Sequence, residues 1–425
     1  MNSTSEKPSA LTGKGRIRRI LRRIVRFFFL ATALLLLAGG PLPETAARAI
    51  PAASPLALFS TTLVRHARPV AWIWLLPATL VLVSALWRGR FFCRWICPLG
   101  TLYDLPSKTS LRQTILSRRL SGFLFWFLMF AAAAGLPILL FLDPLAGFSR
   151  LGALAQGSAH AGAWILGFIL PLLLLLAFVQ PGLWCAMLCP LGYALERIRI
   201  RKPTKREVDR TRRELLIGLA TGLPAALLLR KAGRAPKDER PVLPPGAVSL
   251  DDFAGTCIRC YACVNVCPTG VLTVRRRGGA AELALPEMDF LRREDGYCEQ
   301  YCNACTQICP TGALRALSIE EKQRCKIATA HVVREACLAW TDRTECLACD
   351  EFCAYNAFEI RQGKDGIAKP VVIAEKCRGC GACLNVCPAE RLGKAIVITP
   401  LSEPRRIPPK EDARAYSSLA DSSAS

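Results

Sequence analysis

The sequence predicts a two-part fold: an α-helical membrane domain of four to five transmembrane helices, followed by an α+β domain organised around cysteines. Two observations predict it. The first is charge: residues 1–250 hold 33 Lys+Arg against 10 Asp+Glu, residues 251–425 hold 23 of each, and the net charge of +23 therefore lies entirely in the first half. The second is cysteine placement: 17 of the 21 cysteines follow residue 250 in tight groups, and four sit in the apolar half as two C-x-x-x-C pairs. At 425 residues the chain has room for two or three domains.

The basic residues flank apolar segments and do not interleave with aromatics on a polar face. That is the positive-inside pattern of a bacterial inner-membrane protein with several passes, and it argues against nucleic acid as a partner. A basic N-terminus (1–26) packs seven Lys and Arg into Lys14–Arg26, a cytoplasmic flank. The membrane domain (27–200) follows, with apolar segments at roughly 27–42, 69–87, 120–142 and 162–180. The loop with Arg88, Arg90, Arg94, Lys108, Arg112, Arg118 and Arg119 returns to the cytoplasm, whereas the loop with only Asp143 and Arg150 lies outside. Arg197–Arg213 brings the chain back inside.

Residues 201–235 carry a fifth apolar stretch, Leu215–Leu229, short for a spanning helix. Arg212-Arg213-Glu214-Leu215-Leu216 before it resembles a twin-arginine export signal; an ordinary basic flank is the other reading. Both send the rest of the chain to the periplasmic side, and the lack of a clean A-x-A site favours a retained anchor. Pro-rich residues 236–250 read as a linker, 251–400 as the cysteine domain, and 401–425 as a disordered tail.

Four cysteine groups fill residues 251–400. They are Cys257, Cys260, Cys263, Cys267; Cys298, Cys302, Cys305, Cys309; Cys337, Cys346, Cys349, Cys353; and Cys377, Cys380, Cys383, Cys387. Pro268, Pro310 and Pro388 follow three of the groups, and Ala354 follows the third. A disulfide framework would use looser spacings, and zinc ribbons lack the third cysteine followed by C-P. A [4Fe–4S] cubane needs four thiolates converging from different directions, which three close cysteines and a fourth from a partner group supply. The bacterial ferredoxin rule then pairs Cys257, Cys260 and Cys263 with Cys309, and Cys298, Cys302 and Cys305 with Cys267. It likewise pairs Cys337, Cys346 and Cys349 with Cys387, and Cys377, Cys380 and Cys383 with Cys353. Four [4Fe–4S] clusters in two tandem two-cluster bacterial ferredoxin modules are expected. Ala262, Gly379, Gly381 and Ala382 let backbone N–H groups approach the sulfurs. Short β runs are expected at Thr269–Val274 and Ala395–Thr399. Cys325 stands alone and reads as a small buried apolar residue.

The apolar half repeats itself at an offset of 92 residues: Cys93-Arg-Trp-Ile-Cys97-Pro98-Leu99-Gly100 returns as Cys185-Ala-Met-Leu-Cys189-Pro190-Leu191-Gly192. A carboxylate follows each second cysteine by seven residues, Asp104 and Glu196. The four cysteines suit a redox dithiol, or joint ligation of one metal cluster. Asp104 and Glu196 are proton-acceptor candidates for quinol oxidation; the competing reading is a surface charge paired with arginine. His66 and His160 form no haem pair, and no flavin or nicotinamide motif is present.

These motifs resemble a known family. Residues about 15–200 resemble the membrane quinol dehydrogenase component NapH and its relative MauN, and residues about 205–400 resemble the exported polyferredoxins NapG and MauM. The chain resembles a fusion of the two. It departs by lacking cysteines in Arg197–Arg213, where NapH-type proteins carry cluster motifs, and by lacking the third proline. The resemblance implies an electron-transfer subunit that takes electrons from membrane quinol to a periplasmic redox enzyme or cytochrome, with lipid and quinol as its membrane partners. Membrane polyferredoxins of oxidase assembly suggest an alternative, a maturation factor that reduces metals or thiols.

Overall fold

The computed structural model describes residues 13–37, 49–56, 75–108, 119–134, 142–155, 171–172, 174–180, 183–200, 204–232, 240–247, 249–276, 278–279, 282–292, 296–363, 365–389 and 393–401. The segment at 162–180 and the 401–425 tail therefore fall mostly outside the described residues, as do His66 and His160.

The first half is helical. Its elements are α1 (Gly13–Leu37), α2 (Ala49–Ala52), α3 (Leu75–Arg88), α4 (Phe91–Trp95), α5 (Pro98–Lys108), α6 (Arg119–Ala133), α7 (Pro144–Ala155), a π-helical turn (Leu183–Leu188), α8 (Pro190–Ile198) and α9 (Lys205–Ala232). The basic N-terminal run from Lys14 is thus part of α1, continuous with the apolar residues after it. Among the described residues no helix is long and apolar enough to cross a membrane, so the expected four to five spanning helices are not shown there. The physical reason is length: about 20 apolar residues are needed to cross a bilayer. The apolar run of α1 starts only after Arg26, and α3 and α6 have 14 and 15 residues.

Helices α6 and α9 pack side by side in the same direction. A methyl group on Gly218 would fall 2.6 Å from Trp126 Cβ, and one on Gly222 would fall 2.6 Å from the Phe127 carbonyl. Glycines four apart thus let the backbones approach closely, and Ala226 against Ala131 continues the seam. Glu214 is buried where α9 enters the bundle, accepting hydrogen bonds from Tyr193 Oη (2.7 Å) and Arg210 Nε (2.7 Å). The Arg212-Arg213 pair lies inside this continuous helix, exposed.

The second half consists of short helices and three two-stranded antiparallel sheets around cysteine loops. It opens with α10 (Leu250–Thr256), N-capped by Ser249, whose hydroxyl accepts from the Asp252 N–H (3.1 Å), and α11 (Ala262–Asn265). Strand β1 (Leu272–Val274) pairs with β2 (Pro286–Met288); β3 (Ala328–Val332) pairs with β6 (Ile396–Pro400); β4 (Phe358–Gln362) pairs with β5 (Ala368–Val372). The two expected β runs are β1 and β6, and β6 closes on a strand lying before the third cysteine group.

The predicted linker is a correction. Val242, Leu243 and Ala247 belong to the core of the second half, Met288 N–H donates to Val242 O (2.8 Å), and Arg315 N–H donates to Gly246 O (3.0 Å). The prolines remove donors, but the apolar residues between them find a buried face to cover.

Candidate metal centres

Each CysProLeuGly copy is a helix start. Cys189 caps α8: Pro190 occupies the first turn, where its missing N–H costs nothing, and the Gly192 N–H points at the Cys189 sulfur (3.4 Å). Both copies close a wide turn, with Cys97 N–H bonded to Phe92 O (3.0 Å) and Cys189 N–H to Trp184 O (2.8 Å). The glycine is required by close approach. A methyl on Gly100 would stand 2.6 Å from the Cys93 carbonyl, and one on Gly192 3.3 Å from the Cys185 carbonyl.

The two copies converge. Cys97 and Cys189 share one buried core, and Cys93 and Cys185 pack against it. Each copy is held by an arginine from earlier in the chain. Arg26 donates to Gly100 O (2.6 Å) and Asp104 Oδ2 (2.8 Å). Arg90 donates to Cys185 O (3.1 Å) and pairs with Glu196 Oε2 at 3.6 Å. Asp104 and Glu196 are therefore both ion-paired with arginine. Nothing in the sequence singles out Arg26 and Arg90 among the many basic residues of this half.

In the second half the structure brings cysteines of different groups together. Cys257, Cys260, Cys263 and Cys309 line one cavity with about 320 Å³ of empty space. Cys298, Cys302 and Cys305 line another of about 350 Å³ with Cys267, and Cys337, Cys346 and Cys349 a third of about 340 Å³ with Cys387. Cys377, Cys380 and Cys383 stand within electrostatic reach of one another and of Cys353. None of the 21 cysteines is in a disulfide. Among the described residues no group of three or more Cys, His, Asp or Glu is drawn in tightly enough for a single ion. Such a site needs sulfurs about 2.3 Å from one centre, whereas a cubane holds its four thiolates around a larger body.

The surroundings fit such a group. Backbone N–H groups of Arg259, Leu314 and Ala330 approach the sulfurs of Cys257, Cys309 and Cys377 at 3.4 Å, and that of Ala357 approaches Cys353 at 3.3 Å. Burial pushes the Cys257 thiol up to about 11 and those of Cys260 and Cys298 to about 12. Bare thiols in these cavities hold their protons, and a cation between them is what favours the thiolate. Lys322 is fully buried beside the second site and donates to Glu299 O. Its charge acts on Cys298, Cys305 and Cys380, a contribution that no motif announces.

The sites form a row whose order differs from the sequence. Cys263 neighbours Cys305, Cys298 N–H donates to Cys380 O (2.8 Å), and Cys383 neighbours Cys349. The loop of the fourth group thus sits between those of the second and third. Cys325 is buried, 1% exposed, outside every quartet.

The first and fourth loops share a backbone requirement. Gly379 and Gly381 have φ of +70° and +88°, and the matching positions of the first loop, Arg259 and Tyr261, have φ of +53° and +61°. A left-handed conformation costs an ordinary residue roughly 1–2 kcal/mol. Arg259 and Tyr261 offset it with buried bonds: Arg259 Nη1 to Cys257 O (2.9 Å), Arg259 Nε to Leu283 O (3.1 Å) and Tyr261 Oη to Ala284 O (3.3 Å).

The family described as "4Fe-4S binding domain" matches residues 70–123 and 161–206, the two CysProLeuGly copies, and the "4Fe-4S dicluster domain" matches residues 256–313 and 343–390. The ferredoxin-type protein NapH of Haemophilus influenzae is 30% identical over 235 residues, 54% of this chain and 76% of NapH. The methylamine utilization ferredoxin-type protein MauM of Paracoccus denitrificans is 32% identical over 198 residues, 44% of this chain and 84% of MauM. NapF of Escherichia coli K12 is 30% identical over 160 residues, 38% of this chain and 88% of NapF. The chain belongs to the ferredoxin-type 4Fe–4S proteins. It is an iron–sulfur electron-transfer protein related to the Nap and Mau components. No solved structure matches it.

Proposed function

We propose that this ferredoxin-type protein carries electrons from membrane quinol to a periplasmic redox enzyme or cytochrome, as a NapH/MauN-like part fused to a NapG/MauM-like part. The observation that carries the reading is the convergence of cysteines from different groups on shared cavities. When bound, [4Fe–4S] clusters supply one-electron chemistry without proton or bond change. The ligand sets are the four crossed quartets, four clusters in all, with Cys93, Cys97, Cys185 and Cys189 as a separate set in the helical half.

Three features support the membrane part. Ile20, Ile24 and Phe28 on α1, Leu80 on α3, and Leu216 and Leu228 on α9 are exposed apolar residues on helices bordered by arginines, a surface suited to lipid. The seam of α9 on α6 favours a retained anchor over a removed signal. The charge excess of the first half supports an inner-membrane location, and the side proposed for the C-terminal half is the periplasm. Asp104 and Glu196 remain the proposed acceptors of quinol protons, each held in an ion pair, with Arg26 and Arg90 respectively.

Membranes containing the full chain test this. About sixteen cluster irons per chain from the crossed quartets, reduced on addition of a quinol analogue, are the expected result. Clusters that respond to dithionite but stay oxidised with quinol would overturn it. If Cys93→Ala and Cys185→Ala then still abolish maturation of a partner oxidase, the assembly reading replaces it.

A further inference from the structure

One contact joins the halves at the first cysteine loop. Arg150, on α7 of the helical half, is buried, and its Nε donates to Arg259 O (2.9 Å) while Nη2 reaches Ile258 O (3.5 Å). Ala146, one helical turn earlier, packs against Ile258 and Cys260 with no exposure. Of the two accepting carbonyls, that of Arg259 belongs to a residue in the left-handed conformation, where the backbone carries its strain.

The fourth loop serves as an internal control. Its Arg378 matches Ile258 by position, and Arg378 O accepts from the main-chain N–H groups of Ile327 (2.8 Å) and Ala328 (3.3 Å). The C-terminal half thus supplies those donors from its own main chain, and it has glycine where the backbone turns left-handed. The first loop has Arg259 and Tyr261 there, and takes donors from a side chain of the other half. The opposite side of α7 meets the other cysteine site: Leu145 and Phe148 lie in the core that holds Cys97 and Cys189. An α-helix with its side chains is about 10–12 Å across, so α7 is a common wall between the two sites.

We propose that Arg150 is a positioning residue, which completes the first cysteine loop from the helical half and fixes the end of the row of sites that faces Cys93, Cys97, Cys185 and Cys189. A guanidinium serves because its fork spans two adjacent carbonyls and its charge offsets a negative group held by Cys257 and Cys260. This inference rests on reading the first quartet as a cluster site.

The test is the full chain with Arg150→Gln and Arg150→Lys, read by hydrogen exchange of the amides in 257–263 and by redox titration of the clusters. In Arg150→Gln, exchange in 257–263 should rise by about tenfold or more, as expected for loss of charge-assisted bonds, while 377–383 is unchanged. One cluster potential should become more negative with the other three unmoved, and Arg150→Lys should lie between. Unchanged exchange and potentials, or equal shifts at all clusters, overturn the proposal. If Arg150→Gln does not accumulate, Ala146→Leu carries the same test: local acceleration at 257–263 supports it, and wild-type exchange overturns it. An iron-free wild-type chain would instead sink the cluster reading itself, so the two failures are distinguishable.

Discussion

The two cysteine-bearing regions solve one problem in opposite ways. In the C-terminal half, thiols are brought together by exchange between sequence groups, and the sulfurs of Cys257, Cys309, Cys353 and Cys377 and the Arg378 carbonyl accept from main-chain N–H groups. In the helical half, two copies of one octapeptide motif approach each other, and each is tied down by an arginine from a distant position, Arg26 for the first and Arg90 for the second. Motif spacing therefore marks the ligands where cysteines recur in short groups. Where support arrives over 74 or 95 residues of chain, spacing alone says little.

The largest effect that would break this contrast concerns the crossed quartets. Cys309→Ala should deplete the same cluster as Cys260→Ala, lowering iron by about a quarter, and Cys267→Ala should deplete a different one. Iron and sulfide analysis with electron paramagnetic resonance distinguishes them; if Cys309→Ala matches Cys302→Ala instead, the exchange between groups is wrong. Cys325→Ala should leave iron content unchanged.

Next comes the fourth loop. Gly379→Ala puts a methyl group 2.4 Å from the Ala328 main chain at a left-handed φ, and should cost about 2–4 kcal/mol, read as a lower denaturation midpoint. A smaller effect tests the helical half. Arg26→Gln removes a charged donor from Gly100 O and should cost about 1–3 kcal/mol. Arg90→Gln should cost less, because its ion pair is looser at 3.6 Å. Equal losses would erase the asymmetry between the copies.

The smallest effect is a pH dependence outside both sites. Ser318 and Glu321 form a capping box at the start of the helix Ile319–Arg324. The Ser318 N–H, and then Arg315, hold the Glu321 carboxyl below its ordinary value of 4.5. A depressed carboxylate contributes stability above its unfolded value and loses it as pH falls through the folded one. Stability should therefore decline below about pH 4.5, and Glu321→Gln should flatten that decline. Ser318→Ala should cost about 1 kcal/mol at neutral pH in thermal melts.

Much of the C-terminal half was legible because cluster ligation imposes short fixed spacings, so the four groups and their exchange pattern could be read from the chain, as could the repeat around Cys93 and Cys185. The linker was misread for a definite reason. Proline content signals an extended chain, but Val242 and Leu243 decide that this chain is buried, and burial depends on a partner surface that a local pattern does not contain. The four to five spanning segments rest on hydropathy, and among the described residues the apolar runs are too short or flanked by charge to meet that length.

What the sequence determined by itself is the inventory: which cysteines act in groups, where the glycines stand, and on which half the charge lies. The tertiary structure alone decided the order of the sites in space, with the fourth loop inserted between the second and third. It also decided which of 56 basic residues matter: Arg26, Arg90, Arg150 and Lys322. Ligand spacing is a constraint between near neighbours along the chain. A buried charge finds its partner wherever the fold brings a carbonyl or a thiol, and no periodicity records that meeting.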